Sequence, residues 1–151
     1  MEKSVGNKPC ILISACLCGI RVRYDGQVKN TLPYLDKLTQ KYSLVPVCPE
    51  LLGGLGIPRP QSEIKDGQVI NIKGENVTEN FLKGAKEAYR IYKENNAVFA
   101  LLKESSPSCG ANTVYDGSFS GKKISGEGIT AGYLKSKGIT VYSEKNFESE
   151  E

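Results

Sequence analysis

The stretch Cys10-Ile11-Leu12-Ile13-Ser14-Ala15-Cys16-Leu17-Cys18-Gly19 decides the fold. Its first six residues, Cys10 to Ala15, form a short aliphatic run bounded by Pro9 and, further on, Gly19. The run does not alternate with polar residues, which is the pattern of a strand buried on both faces of a parallel sheet. Three similar runs follow, at Leu44 to Val47, Ala97 to Leu102 and Ile139 to Tyr142. Pro46 weakens the first of these as a central strand, because proline lacks the ladder donor.

Helical patterns separate the strands. Thr31 is placed to cap a helix with Pro33 in its first turn, and Leu32, Leu35, Leu38 and Tyr42 form its stripe. Thr78 is placed to cap a second helix reaching about Asn95, with Phe81, Ala85, Ala88 and Tyr92 on one face. A third, short helix is expected from Ile129 to Ser136. Two insertions read as hairpins: Glu63 to Ile72 around an Asp66-Gly67 turn, and the glycine-punctuated segment Tyr115 to Gly128. Pro49 to Gln61 reads as a long loop, and the polar tail Glu144 to Glu151 is expected to fray. Strands alternating with helices imply an α/β fold. The expectation is a single Rossmann-like domain over residues 1–151 (core about 10–144), with a mostly parallel four-stranded sheet, helices on its faces and two small β-hairpin insertions.

Composition removes several classes of function. The 151 residues are 39% hydrophobic and 25% charged, which suits one globular domain with a real core. No apolar run approaches the roughly 20 residues that span a bilayer, and the N-terminus reads into a strand rather than a signal peptide, so no membrane partner is expected. Twenty basic residues are interspersed with seventeen acidic ones for a net charge of +3, which does not point to a nucleic-acid polymer. There is no histidine and no tryptophan. Ser-His-Asp triads, Cys-His pairs and His-bound catalytic zinc are thereby excluded. The five cysteines are odd in number and no export signal precedes them, so metal or thiol chemistry is a better reading than a disulfide framework.

The cysteines fall at informative places. Cys16 lies just past the first strand, Cys48 just past the second, and Cys109 in the loop after the third. Ligands of open α/β sheets bind outside the carboxyl ends of the strands, so three cysteines from three segments can meet at one edge. Three thiolates without histidine suit a soft metal centre, and three ligands rather than four leave a metal position open. The same spacing also fits buried cysteines acting as small apolar residues. Cys10 sits at the far end of its strand and reads as a core thiol; Cys18 can reach the site or pack against Leu17 and Ile20. Glu50 follows Cys48 by two positions, and Ser105, Ser106 and Ser108 precede Cys109, so proton-transfer groups occupy the same loops. Gly53-Gly54-Leu55-Gly56 lacks the ending of a phosphate loop, and Gly126 to Gly132 reads as a turn leading into a helix.

Further motifs occur in order. They are Ser14-Ala15-Cys16-Leu17-Cys18-Gly19, Arg23-Tyr24-Asp25-Gly26, Val47-Cys48-Pro49-Glu50, Pro58-Arg59-Pro60, Ser105-Ser106-Pro107-Ser108-Cys109-Gly110 and Tyr115-Asp116-Gly117-Ser118-Phe119. Together they resemble the bacterial thiouracil desulfidase family from about residue 10 to residue 144. The resemblance implies a cytoplasmic enzyme with a [4Fe-4S] cluster on Cys16, Cys48 and Cys109, its fourth iron free to take a thiocarbonyl sulfur. The expected substrate is a small thiolated pyrimidine: 2-thiouracil, 4-thiouracil, or their nucleosides or nucleotides. Hydrolysis would yield the oxo base and sulfide without change of oxidation state. Roles are implied for Glu50 and for a serine placed at Ser106, with Ser105 the alternative. Ser14, Tyr24, Asp25, Arg59 and Ser105 are candidates to line the substrate pocket, and Arg21, Arg23 and Lys29 are the cations available to a nucleotide. Cys18 stands where the family more often has an aliphatic residue. Two rival readings use that extra thiol: a zinc module on Cys16, Cys18, Cys48 and Cys109, and a thiol-redox protein using Cys16 and Cys18.

Overall fold

In the computed structural model, residues 8–27 and 31–147 are described. Four strands, β1 (Cys10–Ser14), β2 (Ser43–Val47), β5 (Ala100–Leu102) and β8 (Val141–Ser143), form one all-parallel sheet in the order β2-β1-β5-β8. The chain runs outward from β1 to β2, then crosses back to the other side of β1 as β5. A topological switch point therefore lies between β1 and β5, where the paired Ile13 and Leu101 lead into Ser14 and Leu102.

The unbroken apolar run of β1 has the cause expected of it. Ile11, Leu12 and Ile13 are all 0% exposed because both sheet faces are covered. Leu12, with Ala100 and Leu102, packs toward helices α3 (Thr78–Glu94) and α4 (Ile129–Ser136) through Ala88, Ala131 and Leu134. Ile11, Ile13 and Leu101 face the opposite layer, built by Leu17, Leu32 and, from helix α1 (Leu35–Lys41), Leu38. Pro46 is accommodated because β2 is an edge strand, where a missing donor costs no ladder bond.

Two hairpins are appended to this core. Strands β3 (Ser62–Lys65) and β4 (Gln68–Asn71) pair antiparallel across Asp66-Gly67, both at positive φ (52° and 78°), as a tight primed turn requires. Strands β6 (Thr113–Tyr115) and β7 (Lys123–Ser125) form the second. Among the described residues, no helix is long and apolar enough to cross a membrane.

The structure corrects several boundaries. Helix α1 begins at Leu35 with Tyr34 as its cap, not at Thr31. The backbone N–H of Leu32 donates to the Leu17 carbonyl at 2.9 Å, and Pro33 biases Leu32 toward extended backbone, so the chain is held out of the helix there. The second helix starts at Thr78, but that hydroxyl accepts from the N–H of Val69 in β4, and Asn76 Oδ1 takes the Thr78 N–H. The loop after Cys48 opens with a four-residue helix, α2 (Pro49–Leu52), with Pro49 at its first turn and Cys48 at its cap. The third and fourth strands are shorter than expected, although Val98 already donates to the Cys10 carbonyl. The tail does not fray as far as Phe147, whose ring stacks on Phe99 (5.6 Å) and Tyr34 (6.2 Å). The rest of the predicted tail, 148–151, and Lys29 lie outside the described residues.

Candidate active site

A cavity of about 230 Å³ opens at the carboxyl ends of the parallel strands, over the switch point. Ser14 ends β1, and a short 3-10 helix, Ala15–Cys18, turns Cys16 into the cavity wall while Leu17 is buried in the core. Cys48 caps α2, which presents Glu50 in its first turn. The loop after β5 brings Ser105, Ser106, Ser108 and Cys109. All three cysteines singled out from strand ends thus line one cavity, as do Glu50, Ser14, Tyr24, Arg59, Ser105 and Ser106. Asp25 is not among the lining residues. Its two carboxylate oxygens face the Arg23 guanidinium at 3.2 Å each, and one also accepts from the N–H of Gln27.

The thiols are close enough to sense one another. Burial pushes Cys109 up to about 12, opposed chiefly by the Ser14 hydroxyl, with Cys16 and Cys48 adding to the rise. Burial pushes Cys16 up to about 11, opposed by the Lys103 ammonium. Burial raises Cys48 as well, against the Leu51 N–H and the Arg59 guanidinium. Cys18 is also raised by burial, packs against the α1 layer and is absent from the cavity lining; Cys10 lies at the other end of β1. Among the described residues, no group of three or more His, Cys, Asp or Glu side chains forms a site for a single metal ion.

The acid–base groups are held firmly. Each nitrogen of the Arg59 guanidinium donates to the protein: Nε to Glu50 Oε1 at 2.8 Å, Nη1 to the Gly56 carbonyl at 3.0 Å and Nη2 to the Val22 carbonyl at 2.8 Å. Ser14 Oγ accepts from the N–H of Lys103 at 2.9 Å, which ties the ends of β1 and β5 together. Ser106 Oγ accepts from the N–H groups of Ser108 (3.1 Å) and Cys109 (2.9 Å), which closes the loop around its own cysteine. Ser105 sits at φ +67° and shares a hydrogen bond with the Thr113 hydroxyl at 3.0 Å.

Glycines set the distances behind these groups. A Cβ at Gly84 of α3 would lie 2.0 Å from the Pro49 carbonyl oxygen, and one at Gly128, the cap of α4, would lie 2.5 Å from the Ser108 carbonyl carbon. The segments carrying Cys48 and Cys109 are therefore seated directly on the backbone of α3 and of the α4 cap.

Sequence reasoning assigned no role to Lys103 or Glu104, and placed Ser108 only among the loop hydroxyls. Lys103 lines the cavity with its ammonium on Glu144 (3.2 Å) and the Glu104 carbonyl (2.8 Å). Glu104 is buried, and its carboxylate accepts from Asn112 N (2.8 Å), Thr113 N (2.9 Å) and Asn112 Nδ2 (3.1 Å), which folds the serine loop back on itself. Position directly after a strand end was the signal available for Lys103 and Glu104.

A parallel α/β sheet gathering thiols, a buried carboxylate–guanidinium pair and serine hydroxyls at its switch point defines an enzyme class that works without histidine and with soft ligands. The model of the 2-thiouracil desulfurase family matches residues 11–146, and the chain belongs to that family. A relative from Bacillus subtilis (strain 168), described as the uncharacterized protein YbbK, is 43% identical over 144 residues, spanning 89% of this chain and 95% of its own. A solved structure, described as the [4Fe-4S]-dependent thiouracil desulfidase TudS, is similar with a TM-score of 0.87 at 42% identity, over 93% of each chain.

Proposed function

We propose that this protein is a [4Fe-4S]-dependent desulfidase acting as a single domain, which hydrolyses a thiolated pyrimidine to the oxo base and sulfide. The observation that carries this reading is the meeting of Cys16, Cys48 and Cys109 on one cavity beside the Glu50–Arg59 pair. The donor set suits the cluster: three thiols without histidine, around a space rather than around a point. The position of Cys18 outside the cavity lining counts against both the four-cysteine zinc module and a Cys16–Cys18 redox pair. Reduced cysteines in this number suit a cytoplasmic setting.

When bound, the cluster supplies an iron without a protein ligand, a Lewis acid for a thiocarbonyl sulfur. Glu50, its Oε1 held by Arg59, takes a proton from the water that attacks the ring carbon. Ser106 has both lone pairs on backbone N–H groups, so its one O–H is a donor; it rests on Ser108 and turns to water or ring when substrate binds. Tyr24 supplies an aromatic wall, and its ring carries the Arg23 guanidinium at 5.5 Å.

The test is anaerobic purification or reconstitution, followed by iron and sulfide analysis and assay with 2-thiouracil and 4-thiouracil. A broad absorption near about 400 nm, close to four irons per chain and release of sulfide with the oxo base are expected. A protein that stays iron-free, or binds iron without releasing sulfide from either compound, refutes the proposal.

A further inference from the structure

The two oxygens of Glu50 have different partners. Oε1 takes Arg59, while Oε2 takes the hydroxyl of Ser108 at 3.4 Å. Ser108 is 2% exposed. Its carbonyl receives the N–H groups of Thr130 (2.8 Å) and Ala131 (3.1 Å), from the first turn of α4, and Gly128 packs against it from behind. The backbone that carries this hydroxyl is thus pinned by a helix.

Counting donors assigns a direction to the hydroxyl pair. Ser106 Oγ already accepts two backbone N–H groups, which fills its lone pairs. In the 3.1 Å contact between the two serines, Ser106 must therefore be the donor and Ser108 the acceptor. The hydrogen of Ser108 is left for Glu50 Oε2 or for Cys109 Sγ at 3.7 Å. The carboxylate is nearer and is the stronger acceptor. The chain then runs one way: loop N–H to Ser106, Ser106 to Ser108, Ser108 to Glu50.

We infer that Ser108 is a positioning residue that aims Glu50 through its Oε2 and links the carboxylate to the loop carrying Cys109. The inference rests on the reading of Glu50 as the base, so the test includes Glu50→Gln. In the iron-loaded enzyme, Ser108→Ala is expected to lower kcat roughly tenfold, the worth of one hydrogen bond to a charged group, with KM changed by less than about twofold. Ser108→Thr restores most of the loss, and Ser108→Ala adds nothing in the Glu50→Gln background. A crystal structure of the iron-free Ser108→Ala protein is expected to show Glu50 Oε2 turned from its present position; this readout needs no turnover and decides the matter where the variant fails to load iron. Glu50 unmoved in that structure, or Ser108→Ala turning over at the parent rate while Glu50→Gln is dead, overturns the role of Ser108 alone. Glu50→Gln at full activity overturns the reading of Glu50 as base.

Discussion

Arg59 and Glu50 form a 2.8 Å ion pair with side chains only 6% and 14% exposed, between a residue in the loop that precedes β3 and one in the first turn of α2. The pair ties the loop after α2 back to the helix that Cys48 caps, and the same guanidinium holds the Val22 carbonyl, which Cys48 Sγ also faces at 3.8 Å. Removing one partner leaves the other charge buried and uncompensated. Arg59→Ala is expected to lower stability by about 3 kcal/mol, measured by urea unfolding of the iron-free protein. Arg59→Lys recovers little of this, because an ammonium cannot serve three acceptors in a planar fork.

Gly84 and Gly56 make a matched pair of glycine replacements. Gly84→Ala drives a methyl into the Pro49 carbonyl, so a loss of about 2 kcal/mol in stability and reduced iron uptake are expected. Gly56 has open space around its missing Cβ, and Gly56→Ala should change stability by less than about 1 kcal/mol. Thermal unfolding of the two variants side by side reads the difference.

Glu104 predicts a pH dependence. Burial would raise this carboxyl, but the Asn112 and Thr113 N–H groups and the Asn112 amide overcome it and hold it at about 2, below the ordinary 4.5. A depressed folded value means that stability is fully present above about pH 4.5 and is lost as pH falls toward 2, to a total of about 3 kcal/mol. Denaturant melts between pH 6 and 3 should show this slope in the parent and a flatter one in Glu104→Gln.

The two half-buried thiols of the 3-10 helix should part company. Cys16→Ser is expected to abolish stable iron uptake, whereas Cys18→Ser, outside the cavity lining, retains close to the parent's iron content. Iron per chain after anaerobic reconstitution distinguishes them.

Much of the architecture was legible because local and tertiary demands agree. The aliphatic run at Ile11 to Ile13 could be satisfied only between two layers, and the Asp66-Gly67 turn has the two residues that its positive φ values require. The first helix was misplaced at Thr31 because a hydrogen bond from Leu32 to Leu17 overrides a good local cap signal. Helix α2 was hidden among glycines and prolines, although Pro49 and Glu50 are ordinary helix-start residues. Strand-end logic placed the three cysteines at one edge. It could not rank the serines, since which hydroxyl faces Glu50 depends on the backbone turn that Ser106 closes with its own oxygen. Asp25 was drawn toward the pocket by its neighbours in sequence, yet its geometry commits it to Arg23.

The cavity thiols come from three βα junctions, and two of these meet only where β5 docks on β1. A growing chain cannot present the full set until residue 109 has been made and the crossover through α3 has closed. No fragment ending before that point holds all three thiols, so the complete ligand set exists only once β5 has docked on β1.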